Sequence, residues 1–207
     1  MSPAALASLV RGPGYFVTGT DTGVGKTWVA CRLAETARAR GLRVGVLKPA
    51  ESGGGGDAAA LKKASSCPLP LELIRPYAFG AALAPSAAAA LEGRRVALKP
   101  ILKAYRAVEG VSDFTLVEGA GGLLVPYGPG LDGASIAKAM GLPLLIVARR
   151  GLGTINHSLL TLEAARARGL NVAALVLSAP GRKGDRSVAG NARQIARLGK
   201  VRVVEAG

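Results

Sequence analysis

The chain has 207 residues, of which 49% are apolar and only 4% aromatic, and its 27 basic against 13 acidic side chains give a net charge of +14. With a positive mean hydropathy, this is enough chain to bury a substantial core, which excludes a disordered polyelectrolyte; one domain over residues 1–207 is expected. No basic start and no long uninterrupted apolar stretch is present, so neither a leader nor a membrane partner is expected and the location is read as cytoplasmic.

The scarcity of aromatics leaves the core to Ala, Leu and Val, which suits helices packed on a parallel sheet. The basic residues are scattered in ones and twos (Arg38 and Arg40, Lys62 and Lys63, Arg149 and Arg150) with little aromatic interleaving, so no nucleic-acid partner is expected. The charge is read as solvated surface plus an anionic phosphate ligand. Cys31 and Cys67 lack the paired spacing of a zinc or redox site and are read as small buried residues.

Taken in order, the first informative stretch is Tyr15 to Thr27, where the apolar run Tyr15-Phe16-Val17 breaks into Thr18-Gly19-Thr20-Asp21-Thr22-Gly23-Val24-Gly25-Lys26-Thr27. This is a phosphate-binding loop between a strand and a helix. Counting back from Gly25 puts Thr20 where the first glycine of the ordinary pattern stands, so the loop is a lengthened variant. Backbone N–H groups at a helix N-terminus bind phosphate, and Gly23 and Gly25 allow close approach. Lys26 adds a positive charge, and the Thr27 hydroxyl suits a magnesium ion bridging the phosphates.

Val29, Leu33 and Ala37 recur at helical spacing up to Gly41, and Leu42, Val44 and Val46 then alternate as a second strand ending in Lys48-Pro49. Gly53 to Gly56 form a run expected to be flexible unless a ligand orders it, followed by Asp57 and a short helix. From Pro68 to Pro100 the pattern is weak, apart from an alanine-rich helix from about Ser86 to Leu91, and it carries no assigned chemistry. A helix from about Ile101 to Val108 leads to the buried strand Phe114-Thr115-Leu116-Val117. Glu118-Gly119-Ala120-Gly121-Gly122 then places an acid at a strand tip, as a magnesium site needs, with small residues that let a ligand reach the backbone.

Leu144 to Ala148 and Val172 to Leu177 are further strands, separated by a helical segment from about Ile155 to Arg168. The strings Arg38-Ala39-Arg40-Gly41-Leu42 and Arg166-Ala167-Arg168-Gly169-Leu170 are read as one helix-stop signal used twice. The fold class is therefore α/β, a P-loop NTPase-like, mostly parallel sheet with helices on both faces and ligands at the carboxyl ends of the strands. That topology gathers Thr22, Lys26, Thr27, Lys48, Ser52, Asp57 and Glu118 at one edge, a set fitted to phosphoryl transfer. His157, the only histidine, starts a helix and is read as structural.

Four strings, Gly19 to Thr27, Lys48-Pro49 with Ser52-Gly53, Val117 to Gly122, and Gly153-Thr154-Ile155-Asn156-His157, resemble the dethiobiotin synthetase family in order and spacing. The resemblance implies a homodimeric ligase that uses ATP and Mg2+ to close a ureido ring from 7,8-diaminononanoate and CO2 or bicarbonate. It implies that Lys26 and Lys48 are catalytic, and that Gly23, Val24, Gly25, Lys26 and Thr27 hold the nucleotide with Asp57, Glu118, Gly119, Ala120 and Gly121. Thr27, Asp57 and Glu118 would hold magnesium. Thr22 and Ser52 would contact the diamine, and Gly153, Thr154 and Asn156 its carboxylate across the dimer interface.

Some positions depart from the family pattern. Ser178-Ala179 stand where the family often has an asparagine that reads the base, so base choice is left open there. The family's extended C-terminal loop is not expected after Val201 to Val204, Pro85-Ser86 replaces a common Pro-His, and Glu51 lies between Lys48 and Ser52. The competing reading is a nucleotide-switched protein that binds a partner or DNA, for which the charge argues; such proteins usually carry a lysine early in the loop, and Gly19 to Thr22 contain none. A nucleotide binder without chemistry is opposed by the joint presence of Lys26, Thr27, Lys48, Asp57 and Glu118.

Overall fold

The computed structural model describes residues 3–178 and 190–206. A short helix α1 (Pro3–Ala7) precedes β1 (Gly14–Gly19), the glycine-rich turn and α2 (Lys26–Ala39). Then come β2 (Val44–Leu47), β3 (Ala50–Ser52), α3 (Asp57–Ser65), α4 (Leu71–Ile74), β4 (Tyr77–Phe79), α5 (Pro85–Leu91) and α6 (Leu98–Glu109). The second half runs β5 (Phe114–Gly122), the ribbon β6 (Pro126–Gly128) and β7 (Leu131–Asp132), α7 (Gly133–Met140), β8 (Leu144–Arg149), α8 (Thr154–Ala167), β9 (Val172–Ser178), α9 (Asn191–Gly199) and β10 (Val203–Ala206).

Six strands form one sheet in the order β10-β9-β8-β1-β5-β2, and every pairing within it is parallel. Period-two alternation sends its side chains into two cores. Phe16, Val117, Ile146 and Leu175 pack on one face with α6, α7 and α8. Tyr15, Val17, Leu116, Val147 and Val176 pack on the other with α2 and α3. Because the strands are parallel, their carboxyl ends share one edge, where β1 and β2 deliver their following residues; β5 runs on to Gly122, paired with β1, so Glu118 lies within the strand and not at the tip expected from Phe114 to Val117. No helix among the described residues is long and apolar enough to cross a membrane.

Both helix stops use the same device. Gly41 N–H bonds the Arg38 carbonyl and Leu42 N–H that of Ala37, while Gly169 and Leu170 do likewise to Arg166 and Ala165. Gly41 and Gly169 take φ of 80° and 68°, the left-handed conformation that ends a helix most easily with glycine. Leu42 therefore belongs to the stop and not to the strand expected from its alternation with Val44 and Val46. All four residues of β2 are buried although it is an edge strand, because α3 and α6 cover its two faces.

The α6 helix begins at Leu98, before the expected start, with Pro100 in its first turn, where the missing N–H has no intrahelical partner to lose. The weakly patterned stretch from Pro68 holds α4, β4 and α5, and β4 pairs in parallel with β3. Residues 123–143 carried no expectation, yet Asp132 caps α7 by accepting the Ser135 N–H at 2.8 Å, a signal present in the sequence. Cys67 is buried and Cys31 half-buried, and neither forms a disulfide.

Candidate active site

The loop after β1 is tied to β8 at its start and turned within itself. Thr20 N–H donates to the Val147 carbonyl at 2.9 Å, and Thr22 N–H to Asp21 Oδ1 at 2.7 Å. Gly25, the residue before α2, has φ of 94°, a region that costs a Cβ-bearing residue about 1–2 kcal/mol. No side chain of that residue caps α2, so the first-turn N–H groups face the loop as anion donors. Lys26 is 7% exposed, and its Nζ donates to the Asp21 carbonyl at 3.3 Å. Burial pushes the Lys26 ammonium below the usual lysine range, with Glu118 opposing and Lys48 reinforcing it.

Lys48, just past β2, reaches its neighbour strand. Its Nζ donates to Glu118 Oε1 at 2.5 Å and to Asp57 Oδ2 at 2.8 Å, and the Thr27 hydroxyl donates to the same Glu118 oxygen at 2.9 Å. Burial works against the Lys48 charge, but Glu118 and Asp57 outweigh it and hold the ammonium above the ordinary lysine range. Burial pushes the Glu118 carboxyl up, against the Lys48 ammonium. Burial also acts to raise Asp57, and there Lys48 prevails and holds the carboxyl below the usual range. Glu118 Oε2 is buried with no hydrogen-bond partner among the described residues. An orphaned carboxylate oxygen beside a threonine hydroxyl and a second carboxylate is a hard oxygen set, which fits magnesium.

The end of β5 is held rigidly. Gly119 packs on Phe16, where a Cβ would come within 3.1 Å of the ring. Ala120 N–H donates to the hydroxyl of fully buried Tyr127 at 2.7 Å. Gly121 has φ of 56°, and a Cβ there would meet Val125 Cγ2 at 2.8 Å. Only glycine fits this turn.

A cavity of about 660 Å³ opens over these groups and is bounded by Thr22, Gly23, Gly25, Lys26, Thr27, Lys48, Ser52, Asp57, Glu118, Ala120 and Gly121. Most of the expected site residues therefore share one space. Ser52 Oγ there is buried and without a hydrogen-bond partner among the described residues. Val24 instead turns its side chain into the core, leaving only its main chain to the loop, and Gly119 serves the packing just described. Gly153, Thr154 and Asn156 lie outside the cavity, at the start of α8 after β8, with Gly153 at φ 85° preceding the first turn. Ser178 ends β9, two strands from β1, buried and outside the cavity; Ala179 lies outside the described residues.

The opposite wall consists of Ala82 to Pro85 with Val125; of these the sequence marked only Pro85, in the Pro85-Ser86 departure from the family's Pro-His. Their role emerges only because β4 pairs with β3 and carries the next loop over the cavity. Glu51 also lines it, 3% exposed. A second groove of about 450 Å³ lies on the other side of Thr22, between residues 19–22, residues 122–126 and Leu160, Thr161 and Ala164 of α8.

A parallel sheet whose first strand runs through a lysine-bearing glycine loop into a helix defines a P-loop nucleotide-binding protein. The solved structures agree: the chain is similar to a ParA family ATPase from Chlorobium tepidum TLS (TM-score 0.54, 13% identity, covering 94% of this chain and 84% of that one). It is also similar to the 54 kDa signal recognition particle protein from Aeropyrum pernix K1 in complex with GDP (TM-score 0.52, 16% identity, 99% of this chain and 46% of that one). At those identities the likeness speaks for the fold alone. The AAA domain family model matches residues 13–206.

Sequence relatives narrow the class. The chain is 54% identical over 189 residues to the ATP-dependent dethiobiotin synthetase of Anaeromyxobacter dehalogenans (strain 2CP-1), covering 89% of this chain and 85% of that protein. It is 44% identical over 170 residues to the same enzyme of Bacillus licheniformis, covering 80% and 72%. The chain belongs to the ATP-dependent dethiobiotin synthetase family, a family of ATP-dependent ligases.

Proposed function

We propose that this protein, as one domain, forms dethiobiotin from 7,8-diaminononanoate, CO2 and ATP, with magnesium, and that it does so in the cytoplasm as a homodimer. The observation that carries the reading is the Lys48 ammonium, held between Glu118 and Asp57 in the cavity that also takes in the phosphate loop and Ser52. A switch protein has less need of a lysine locked at that depth than a ligase that develops anionic charge there.

In this reading one substrate amine attacks CO2, releasing a proton and leaving a carbamate. A carbamate oxygen then attacks the γ-phosphorus as ADP leaves, giving a carbamic–phosphoric anhydride, and the second amine displaces phosphate from the carbonyl carbon to close the ring. Lys48, protonated throughout because the two carboxylates outweigh its burial, acts as a fixed counter-charge to the carbamate and the transferring phosphoryl group. Lys26 and the main chain from Gly23 through Val24 to Thr27 bind the phosphates, and Gly119 to Gly121 let the nucleotide approach closely. Thr27, Asp57 and Glu118 would hold Mg2+, which neutralises charge on the β- and γ-phosphates when bound.

Thr22 and Ser52 face the diamine in this reading, and the start of α8 (Gly153, Thr154, Asn156) binds its carboxylate in a second copy. Leu124 and Leu160, 50% and 56% exposed, flank the second groove, and Leu152 next to Gly153 is 83% exposed; this apolar fringe beside the start of α8 supports pairing there. Ser178 would lie toward the base. The test is mass spectrometry of the product formed from the diamine, ATP, Mg2+ and 13C-bicarbonate. One labelled carbon incorporated as a cyclic urea is expected; recovery of unchanged diamine under conditions where nucleotide binds would overturn the assignment.

A further inference from the structure

Asp57 is the first residue of α3 and follows four consecutive glycines, a run with no side chains to fix it. Yet its carboxylate meets Lys48 Nζ at 2.8 Å. Something else must hold the start of α3. The Glu51 side chain, 3% exposed, accepts the Ala58 N–H through Oε1 at 3.1 Å, satisfying one of the donors that open the helix. Its Oε2 receives Arg75 Nη1 at 2.6 Å. Arg75 is brought alongside because Lys48 N–H bonds the Ile74 carbonyl at 2.8 Å and Ala50 to Ser52 pair with Tyr77 to Phe79. Gly53 N–H is tied to the Phe79 carbonyl at 3.1 Å, and Gly55 folds over Glu51, a Cβ there coming within 3.2 Å of Oε1.

We propose that Glu51 is a positioning residue: by clamping the N-terminus of α3, with Arg75 as its counter-charge, it sets Asp57 against Lys48. This deepens the proposed function, since it rests on Asp57 serving magnesium and phosphate. A carboxylate in that role uses the same logic by which partners of metal-holding groups tune affinity about 10–100-fold. Arg75 is 26% exposed, so Glu51→Ala leaves a partly solvated cation and not a fully buried one.

Two readouts that need no turnover test it. In amide hydrogen exchange of the apoprotein, Glu51→Ala is expected to speed exchange across residues 57–61 at least tenfold, whereas Glu51→Gln, which keeps an acceptor for Ala58, stays within about threefold of the native protein. The single tryptophan, Trp28, sits next to Thr27 and reports Mg2+ binding in the presence of a non-hydrolysable ATP analogue. Glu51→Ala is expected to raise the half-saturating Mg2+ about tenfold, and to add nothing in an Asp57→Asn background because it acts through that carboxylate. Unchanged exchange in Glu51→Ala, a Gln variant as impaired as the Ala one, or losses that multiply with Asp57→Asn would each overturn the proposal. Lack of diamine turnover in the native protein would count against the proposed function and leave these readouts intact.

Discussion

Lys48 Nζ and Glu118 Oε1 lie 2.5 Å apart although 70 residues separate them, because β2 and β5 run parallel with Leu47 opposite Val117, so Lys48 just past β2 comes beside Glu118 within β5. Each offsets the other's burial: Glu118, with Asp57, favours the Lys48 charge at 3% exposure, and Lys48 opposes the upward push of burial on the Glu118 carboxyl. The second oxygen of Glu118 has no hydrogen-bond partner among the described residues and is the one proposed to meet Mg2+. Replacing Glu118 with Gln keeps the shape and removes the anion, so the Mg2+ concentration for half-maximal ATP turnover should rise, and the maximal rate fall, by about 10–100-fold. A Mg2+ titration of turnover unchanged in Glu118→Gln would contradict a metal role for this residue.

Tyr127 tests the rigidity of the β5 end. Its hydroxyl is the acceptor for Ala120 N–H, in a fully buried position. Tyr127→Phe leaves that N–H unpaired and should cost about 1–3 kcal/mol in urea unfolding. Turnover should fall as well, since Glu118 and Gly121 share the loosened segment. A variant of native stability would show that water replaces the phenol without loss.

A pH effect is expected at the opposite end of β5. Arg43 and Asp113 form an exposed pair, and the hydrogen bonds from Arg43 hold the Asp113 carboxyl down to about 2 from 3.8. A depressed carboxyl contributes stability above its unfolded value and loses it as pH falls through the folded one. The difference in urea midpoint between the native protein and Asp113→Asn should therefore be constant above about pH 5, shrink below about pH 4 and be mostly lost near pH 2. A difference that persists undiminished at pH 2 would assign the effect to packing.

Cys31 should be a poor nucleophile despite its partial exposure. Burial, then the charges of Glu118, Glu35 and Asp57, pushes its thiol up to about 11. At pH 8 the thiolate fraction is on the order of one in a thousand, so iodoacetamide should label it more than about a hundredfold slower than a free cysteine. Labelling at the free rate would mean that the site carboxylates do not reach it.

The site was legible where chemistry and chain position coincide. Gly23 to Thr27, Lys48 and Glu118 each come after an apolar run, so local sequence marks the residue and the strand that carries it, although β5 continues past Glu118 to Gly122. Parallel topology did the rest. Ala82 to Pro85 were not legible, because their place over the cavity depends on the pairing of β3 with β4, three residues each and too short for periodicity to reveal. Glu51 appeared in the sequence only as an odd acid between Lys48 and Ser52; its partners Arg75 and Ala58 lie in segments joined to it through tertiary structure. The glycine run was expected to be flexible unless a ligand orders it; its first member, Gly53, bonds the Phe79 carbonyl, and Ala58 just past it bonds Glu51, contacts no local signal announced.

The most direct test of the central claim is phosphate release by the purified protein with Mg2+, bicarbonate and ATP, with and without 7,8-diaminononanoate, for the native chain and Lys48→Ala. Release that requires the diamine and falls by at least about a hundredfold in Lys48→Ala is the result expected of a fixed ammonium offsetting charge in the transition state. Release indifferent to the diamine, or unaffected by loss of Lys48, would contradict the account and leave a nucleotide-switched protein as the better description.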